Sequence, residues 1–402
     1  MLNILSLRGV RAFTAMAMLV ISHHVMAADS QPAVTPAADS PVQGFMPPVP
    51  EVAAKSYVLM EASTGQILAT SNPHQRLPPA SLTKLMTAYI AESEMDHGRL
   101  KPTDLVNISV NAWKTGGSRM FVREGTQVSV MDLMRGIVIQ SGNDATVAMA
   151  EHIAGSEDAF ADLMNQMAQR LGMKDTHFMN PTGLPHPDHY SSAFDMAILA
   201  RDIIENYPDH YALYSEKEFT YNNIRQPNRN LLLDRDPSVD GLKTGHTDEA
   251  GYCLVASAKR DNTRLIGVEF GTDSIQARAQ EMQKLLSYGF RYYETQHLYK
   301  AAQPLESLRI WGGDVDQVSV GTEKALDVVI PRGQAGNLKA SLELNHALEA
   351  PIAQGEQMGT VQIKLGDNVI REVPLVALNP INEGGFFKRL SDSVVRRVQG
   401  WF

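Results

Sequence analysis

Ser81 and Lys84 stand three residues apart, and Ser141, Asn143, Lys243, Thr244, Gly245 and His246 follow, completing the order S-x-x-K, S-x-N, K-T-G. On a helix an i, i+3 pair shares a face, so the Lys84 amine lies beside the Ser81 hydroxyl, as a base beside a nucleophile. Ser81 follows Pro78-Pro79-Ala80 and opens the helical stretch LTKLMTAYIAES. Negative charge developing at such a helix start is favoured. A lysine acts as a base only when neutral. Lowering its pKa from about 10.4 to about 7–8 takes roughly 3–5 kcal/mol of differential destabilisation of the cation. Burial and a second cation supply this, and Lys243 is the expected second cation. Ser141 suits proton transfer to a leaving amine, and Asn143 suits a hydrogen bond to a substrate amide. Lys243 and Thr244 on a sheet edge suit an anionic group, and Gly245 admits a close peptide backbone. The K-T-G triplet occurs twice, at Lys114 and at Lys243. The second opens a strand region, whereas the first runs into a glycine-rich loop at Gly116-Gly117-Ser118.

Those residues need a scaffold, and the hydrophobic pattern outlines one. Residues Ser56 to Met60 and Gln66 to Thr70 read as two strands joined by a Gly-containing turn. Helical stretches follow in VMDLMRGIVIQ, ATVAMAEHIA and DAFADLMNQMAQRLG. After about Asp240 the pattern returns to strands, with a hairpin turning at Arg260-Asp261-Asn262 and a closing helix in RAQEMQKLLSYGFRYYET. Two strands, a helical insertion, more strands and a closing helix give an α+β fold around one antiparallel sheet. From about His297 short β-type segments alternate with turn residues, which predicts a small all-β domain.

The ends carry different signals. Arg8 and Arg11 precede an apolar stretch from Ala12 to Ile21, and Val25-Met26-Ala27 offers small residues for cleavage, so residues 1–28 read as an export signal. Residues 29–50 are rich in Pro, Ala and Ser and read as a tether. At the other end, Phe386, Phe387, Leu390, Val394, Val395, Val398, Trp401 and Phe402 fall on one half of a helical wheel. Lys388, Arg389, Asp392, Arg396 and Gln399 fall on the other half, while Ser391 and Arg397 intrude on the apolar side. This terminal segment suits a membrane surface. The competing reading is a helix packed on the protein's own β domain or on a partner.

Composition excludes several functions. The 402 residues carry 36 basic and 45 acidic side chains, a net charge of −9 that disfavours nucleic acid. One cysteine, Cys253, rules out an intrachain disulfide or a cysteine-rich metal site, and its apolar strand makes it inert core. His186 and His189 lie among Pro and Asp and read as loop, and no metal or cofactor is expected. Arg229 reads as an anion-recognising residue or as half of a surface salt bridge.

The ordered motifs resemble those of the penicillin-recognising serine enzymes. The stretches Gly116 to Ala145, Phe178 to Pro185 (FMNPTGLP) and Val239 to Arg260 are similar to those of the low-molecular-mass penicillin-binding proteins, serine-type D-alanyl-D-alanine carboxypeptidases. That resemblance implies a penicillin-binding/β-lactamase-like transpeptidase fold over residues 51–296, a small all-β domain over 297–380 and an amphipathic helix within 381–402. It implies that Ser81 is acylated, that Lys84 accepts its proton and that Ser141 assists. It further implies that Lys243 binds the terminal carboxylate and that the N–H groups of Ser81 and His246 form an oxyanion hole. The implied substrate is the peptidoglycan pentapeptide stem, the implied inhibitors are β-lactams, and the implied location is the periplasmic face of the inner membrane. A β-lactamase would carry a Glu in an E-x-x-L-N stretch between the second and third motifs, and none is present. A catalytically dead wall-binding scaffold is the non-enzymatic alternative.

Overall fold

The computed structural model describes residues 47–344 and 348–399. The expected export signal, all but residues 47–50 of the tether, and Trp401 and Phe402 lie outside the described residues. The chain forms two compact units that divide between Tyr293 and Glu294.

The first unit is built on a five-stranded antiparallel sheet. Its strands lie in the order Ile67–Ser71, Ser56–Glu61, Thr263–Thr272, Gly251–Arg260, Val239–Thr247, which leaves Val239–Thr247 on an edge. The opening hairpin turns because Gly65 accepts φ 72° and the Glu61 carboxylate takes the Thr64 N–H and the Ser63 and Thr64 hydroxyls. Between the second and third strands in sequence lies the helical insertion. It contains Lys84–Asp96, Asn143–Ala154, Glu157–Leu171 and Ala193–Asn206. Serine side chains cap several of these helices, Ser156 accepting the Ala159 N–H and Ser192 the Asp195 N–H. The core joins sheet to insertion, with Val58, Val255 and Val268 packed with Leu85, Met86, Ile90 and Met196. The helix Ile275–Tyr292 covers one face of the sheet, and Gly267 and Gly289 give room there to Met282 and Leu265.

The second unit holds a five-stranded antiparallel sheet ordered Pro304–Arg309, Gln317–Gly321, Asn368–Ala377, Gln357–Leu365, Leu338–Leu344. A two-stranded sheet pairs Tyr293–Tyr299 with Leu326–Pro331. Alternating residues such as Val361 and Ile363 fill its own small core. The helix Phe386–Gln399 seats its polar side on this unit. Asp392 is buried and accepts the Gly312 N–H at 2.9 Å, Lys388 pairs with Asp316, and Arg389 pairs with Glu383 at 2.9 Å. Phe386, Phe387, Leu390 and Val394 stay outward, with Phe387 84% and Phe386 68% exposed. Among the described residues no helix is long and apolar enough to cross a membrane.

Candidate active site

Ser81 sits on the 3-10 turn Ala80–Thr83, and Lys84 begins the α-helix that continues it. The turn starts with Ala80 at φ 48°, which lifts Ser81 out of the packed chain while Leu82 and Thr83 stay buried. Lys84 Nζ donates to Ser81 Oγ at 3.0 Å and to the Thr182 carbonyl.

The Lys84 contact to Thr182 is the work of the loop FMNPTGLP. Asn180 Oδ1 gathers the N–H groups of Thr182, Gly183 and Leu184 together with the Thr182 hydroxyl. Thr87 Oγ1 donates to the Pro181 carbonyl at 2.8 Å. Gly183 has φ 80°, and a Cβ there would overlap the Ala80 carbonyl oxygen, so only glycine lets this loop press against the serine turn. His189 belongs to the same brace and is no loose loop residue. It is buried, Met179 N–H donates to its Nδ1, and its Nε2–H therefore donates to Thr83 Oγ1 at 2.8 Å. Burial, with cationic neighbours, holds its pKa at about 4.

Lys84 is 1% exposed, and burial lowers its pKa to about 7. The next contribution is repulsion by Arg229, and Asp144 opposes both. The expected second cation was Lys243, and the structure assigns that part to Arg229. Arg229 has no carboxylate partner among the described residues, so the salt-bridge reading of it fails. Lys243 is also buried, and burial followed by Lys84, Arg229 and Arg278 lowers its pKa well below the usual lysine range. Because Lys84 is charged below about pH 7 and neutral above, kcat/KM for acylation should rise with pH along a limb centred near 7 and then level. A pH–rate profile flat from 5 to 9 would remove Lys84 from the role of base.

Ser141 and Asn143 come from a break between helices. The helix Val130–Arg135 runs into a π-turn, Gly136–Gln140, and Ser141 ends it at φ 64°. Its Oγ is buried and has no hydrogen-bond partner among the described residues. Asn143 donates through Nδ2 to the Gly116 carbonyl at 2.7 Å, which orients its Oδ1 as the free acceptor. Asp144 went unnoticed in the sequence. Its buried carboxylate accepts the N–H groups of Met120, Phe121, Val122 and Ala145 at 2.8–3.1 Å.

The third motif lies on the edge strand Val239–Thr247. A Cβ at Gly245 would come within 2.9 Å of the Pro79 carbonyl oxygen. Its smallness thus serves contact with the serine turn, where the sequence suggested approach by a substrate. Lys243 Nζ donates to the Thr244 carbonyl at 3.0 Å. The His246 side chain is exposed and lies on Tyr252, with ring centroids 4.1 Å apart. Arg278, also missed, is buried on the closing helix and reaches the carbonyls of Gly245 and Arg229. Cys253 is buried, with burial pushing its thiol up to about 12, as expected of inert core.

Ser81 against a buried lysine of lowered pKa, beside a lysine-bearing sheet edge, on an antiparallel sheet with a helical insertion, is the arrangement expected of the penicillin-recognising serine peptidases. Residues 43–274 match the family "D-alanyl-D-alanine carboxypeptidase", and residues 293–383 match "Penicillin-binding protein 5, C-terminal domain". The chain is 45% identical over 372 residues to the D-alanyl-D-alanine carboxypeptidase DacA of Escherichia coli, covering 90% of this chain and 92% of that protein. The solved penicillin binding protein 5 of Haemophilus influenzae is 44% identical, with a TM-score of 0.80 over 85% of this chain and all of that one. Penicillin-Binding Protein D2 of Listeria monocytogenes, solved in its ampicillin-bound form, is 27% identical with a TM-score of 0.55, covering 60% of this chain and 98% of that one. The chain belongs to the D-alanyl-D-alanine carboxypeptidase family, whose members are serine-type peptidases.

Proposed function

We propose that Ser81 removes the terminal D-alanine from peptidoglycan pentapeptide stems through an acyl-enzyme. Lys84, neutral above about pH 7, takes the Ser81 proton as Oγ attacks the carbonyl of the penultimate D-alanine. The N–H groups of Ser81 and His246 receive the oxyanion, and Ser141 passes the proton taken up by Lys84 on to the departing amine, which returns Lys84 to its neutral form. Lys243 and Thr244 hold the terminal carboxylate, and Asn143 Oδ1 accepts the amide N–H of the penultimate residue. Water then cleaves the ester and restores Ser81. The observation that carries this reading is the 3.0 Å contact between Ser81 and a lysine buried beside Arg229.

The test is a pair of assays on one protein. A D-alanyl-D-alanine stem peptide should release one D-alanine, and benzylpenicillin should leave a stable one-to-one adduct. Fast penicillin turnover without an adduct would indicate a β-lactamase, and neither activity would indicate the scaffold.

The domain reading adds an export signal before residue 29 and an attached foot after residue 380. The outward Phe386, Phe387, Leu390 and Val394 support a helix lying in a lipid surface at the periplasmic face of the inner membrane. Deleting residues 386–402 should abolish sedimentation with anionic vesicles and leave turnover of small peptides unchanged. Undiminished sedimentation would refute the foot.

A further inference from the structure

The first Lys-Thr-Gly triplet, at Lys114, takes no part in the chemistry above, yet the loop that follows it encloses Asn143. The carbonyls of Gly116 and Ser118 accept the side-chain and backbone N–H of Asn143, each at 2.7 Å. The Asp144 carboxylate then fixes the N–H groups of Met120, Phe121 and Val122. A hairpin, Glu218–Tyr221 with Ile224–Pro227, grips the same loop from its other side. Gln226 Nε2 donates to the Met120 carbonyl at 3.1 Å, and Asn222 Nδ2 to that of Phe121 at 3.3 Å. Between these clamps Phe121 sits at φ 71° with 47% of its surface exposed. A bulky side chain in the left-handed region persists only where its surroundings impose it, and such positions gather at functional sites. The clamps fix the backbone of Phe121, while its exposed ring adds little to the core.

Substrate chemistry says what stands beside it. The peptide runs along the edge strand Val239–Thr247, with its carboxylate at Lys243 and Thr244 and its penultimate N–H on Asn143. The carbonyl of that same amide belongs to the residue preceding D-alanyl-D-alanine, so this residue comes next to Asn143, which the Gly116 and Ser118 carbonyls hold. We propose that Phe121 is the specificity-determining wall of the cleft and packs against the aliphatic side chain of that third-from-last stem residue. This rests on the Ser81 carboxypeptidase reading.

The experiment compares Nα,Nε-diacetyl-L-lysyl-D-alanyl-D-alanine with N-acetylglycyl-D-alanyl-D-alanine, which has no side chain at that position. Phe121→Ala should lower kcat/KM on the lysyl peptide by about tenfold, mainly through KM. It should leave the glycyl peptide and the benzylpenicillin acylation rate within twofold, and Phe121→Leu should recover part of the loss. Equal losses on both peptides and on penicillin would make Phe121 a structural residue and overturn the proposal, as would no loss at all. If the unsubstituted protein releases D-alanine from neither peptide, the carboxypeptidase reading itself fails.

Discussion

Ser81→Ala is expected to lower D-alanine release by at least about four orders of magnitude and to abolish covalent penicillin labelling, while the protein stays folded. The loss is large because the hydroxyl is the bond-forming atom and the protein offers no substitute for it. The Thr83 hydroxyl is taken up by His189, and Ser141 follows a different element. Folding should be spared because the hydroxyl makes one hydrogen bond to Lys84, and Lys84 keeps its second acceptor at the Thr182 carbonyl. One such bond contributes about 1 kcal/mol. Peptidase assays and calorimetry on the same variant separate the two effects. A variant with residual activity within a hundredfold of the original would overturn the assignment.

Asp144→Ala is expected to do the reverse, damaging fold and function together. It strips the acceptor from four N–H groups, three of them on the strained loop at 120–122. Leaving buried donors without partners costs about 1–3 kcal/mol apiece, and partial relaxation brings the total to roughly 3–5 kcal/mol. For a unit of this size that lowers Tm by roughly 10 °C. The site suffers as well, because Asp144 is the anion that offsets repulsion of the Lys84 cation by Arg229. Its loss should shift the acidic limb of the pH–rate profile to lower pH in whatever fraction remains folded. An unchanged Tm would show that the loop is held by other means.

The cluster of Lys84, Lys243, Arg229 and Arg278 has one energetic consequence. Arg229 lowers the proton affinity of both Lys84 and Lys243, and Lys84 and Arg278 add to the effect on Lys243. A substrate carboxylate placed among them relieves that repulsion, so binding of an anion stabilises the protein.

The sequence exposes what is local. Ser81 and Lys84 declare themselves through helical spacing after a Pro-Pro break, and the strands of the second unit through alternation, as in the run from Gln357 to Leu365. The export signal and nearly all of the tether fall outside the described residues and stay as expectations. Tertiary contacts are what the sequence conceals. Arg229 and Arg278 look like ordinary charges until folding buries the cation at 84 beside one and carbonyls beside the other. Asp144 looks like a first-turn acid of a helix, and nothing nearby announces that a loop more than twenty residues earlier will fold onto its carboxylate. His189 reads as loop because its partners, Thr83 and Met179, are joined to it only by the fold. The role of Gly183 is likewise set by the Ala80 carbonyl, about a hundred residues away.

The most direct test of the central claim is to treat the protein with benzylpenicillin, digest it and locate the penicilloyl group by mass spectrometry. A persistent adduct on the peptide containing Ser81, absent from Ser81→Ala, is the predicted result. An adduct on Ser141 or on any other residue would contradict it.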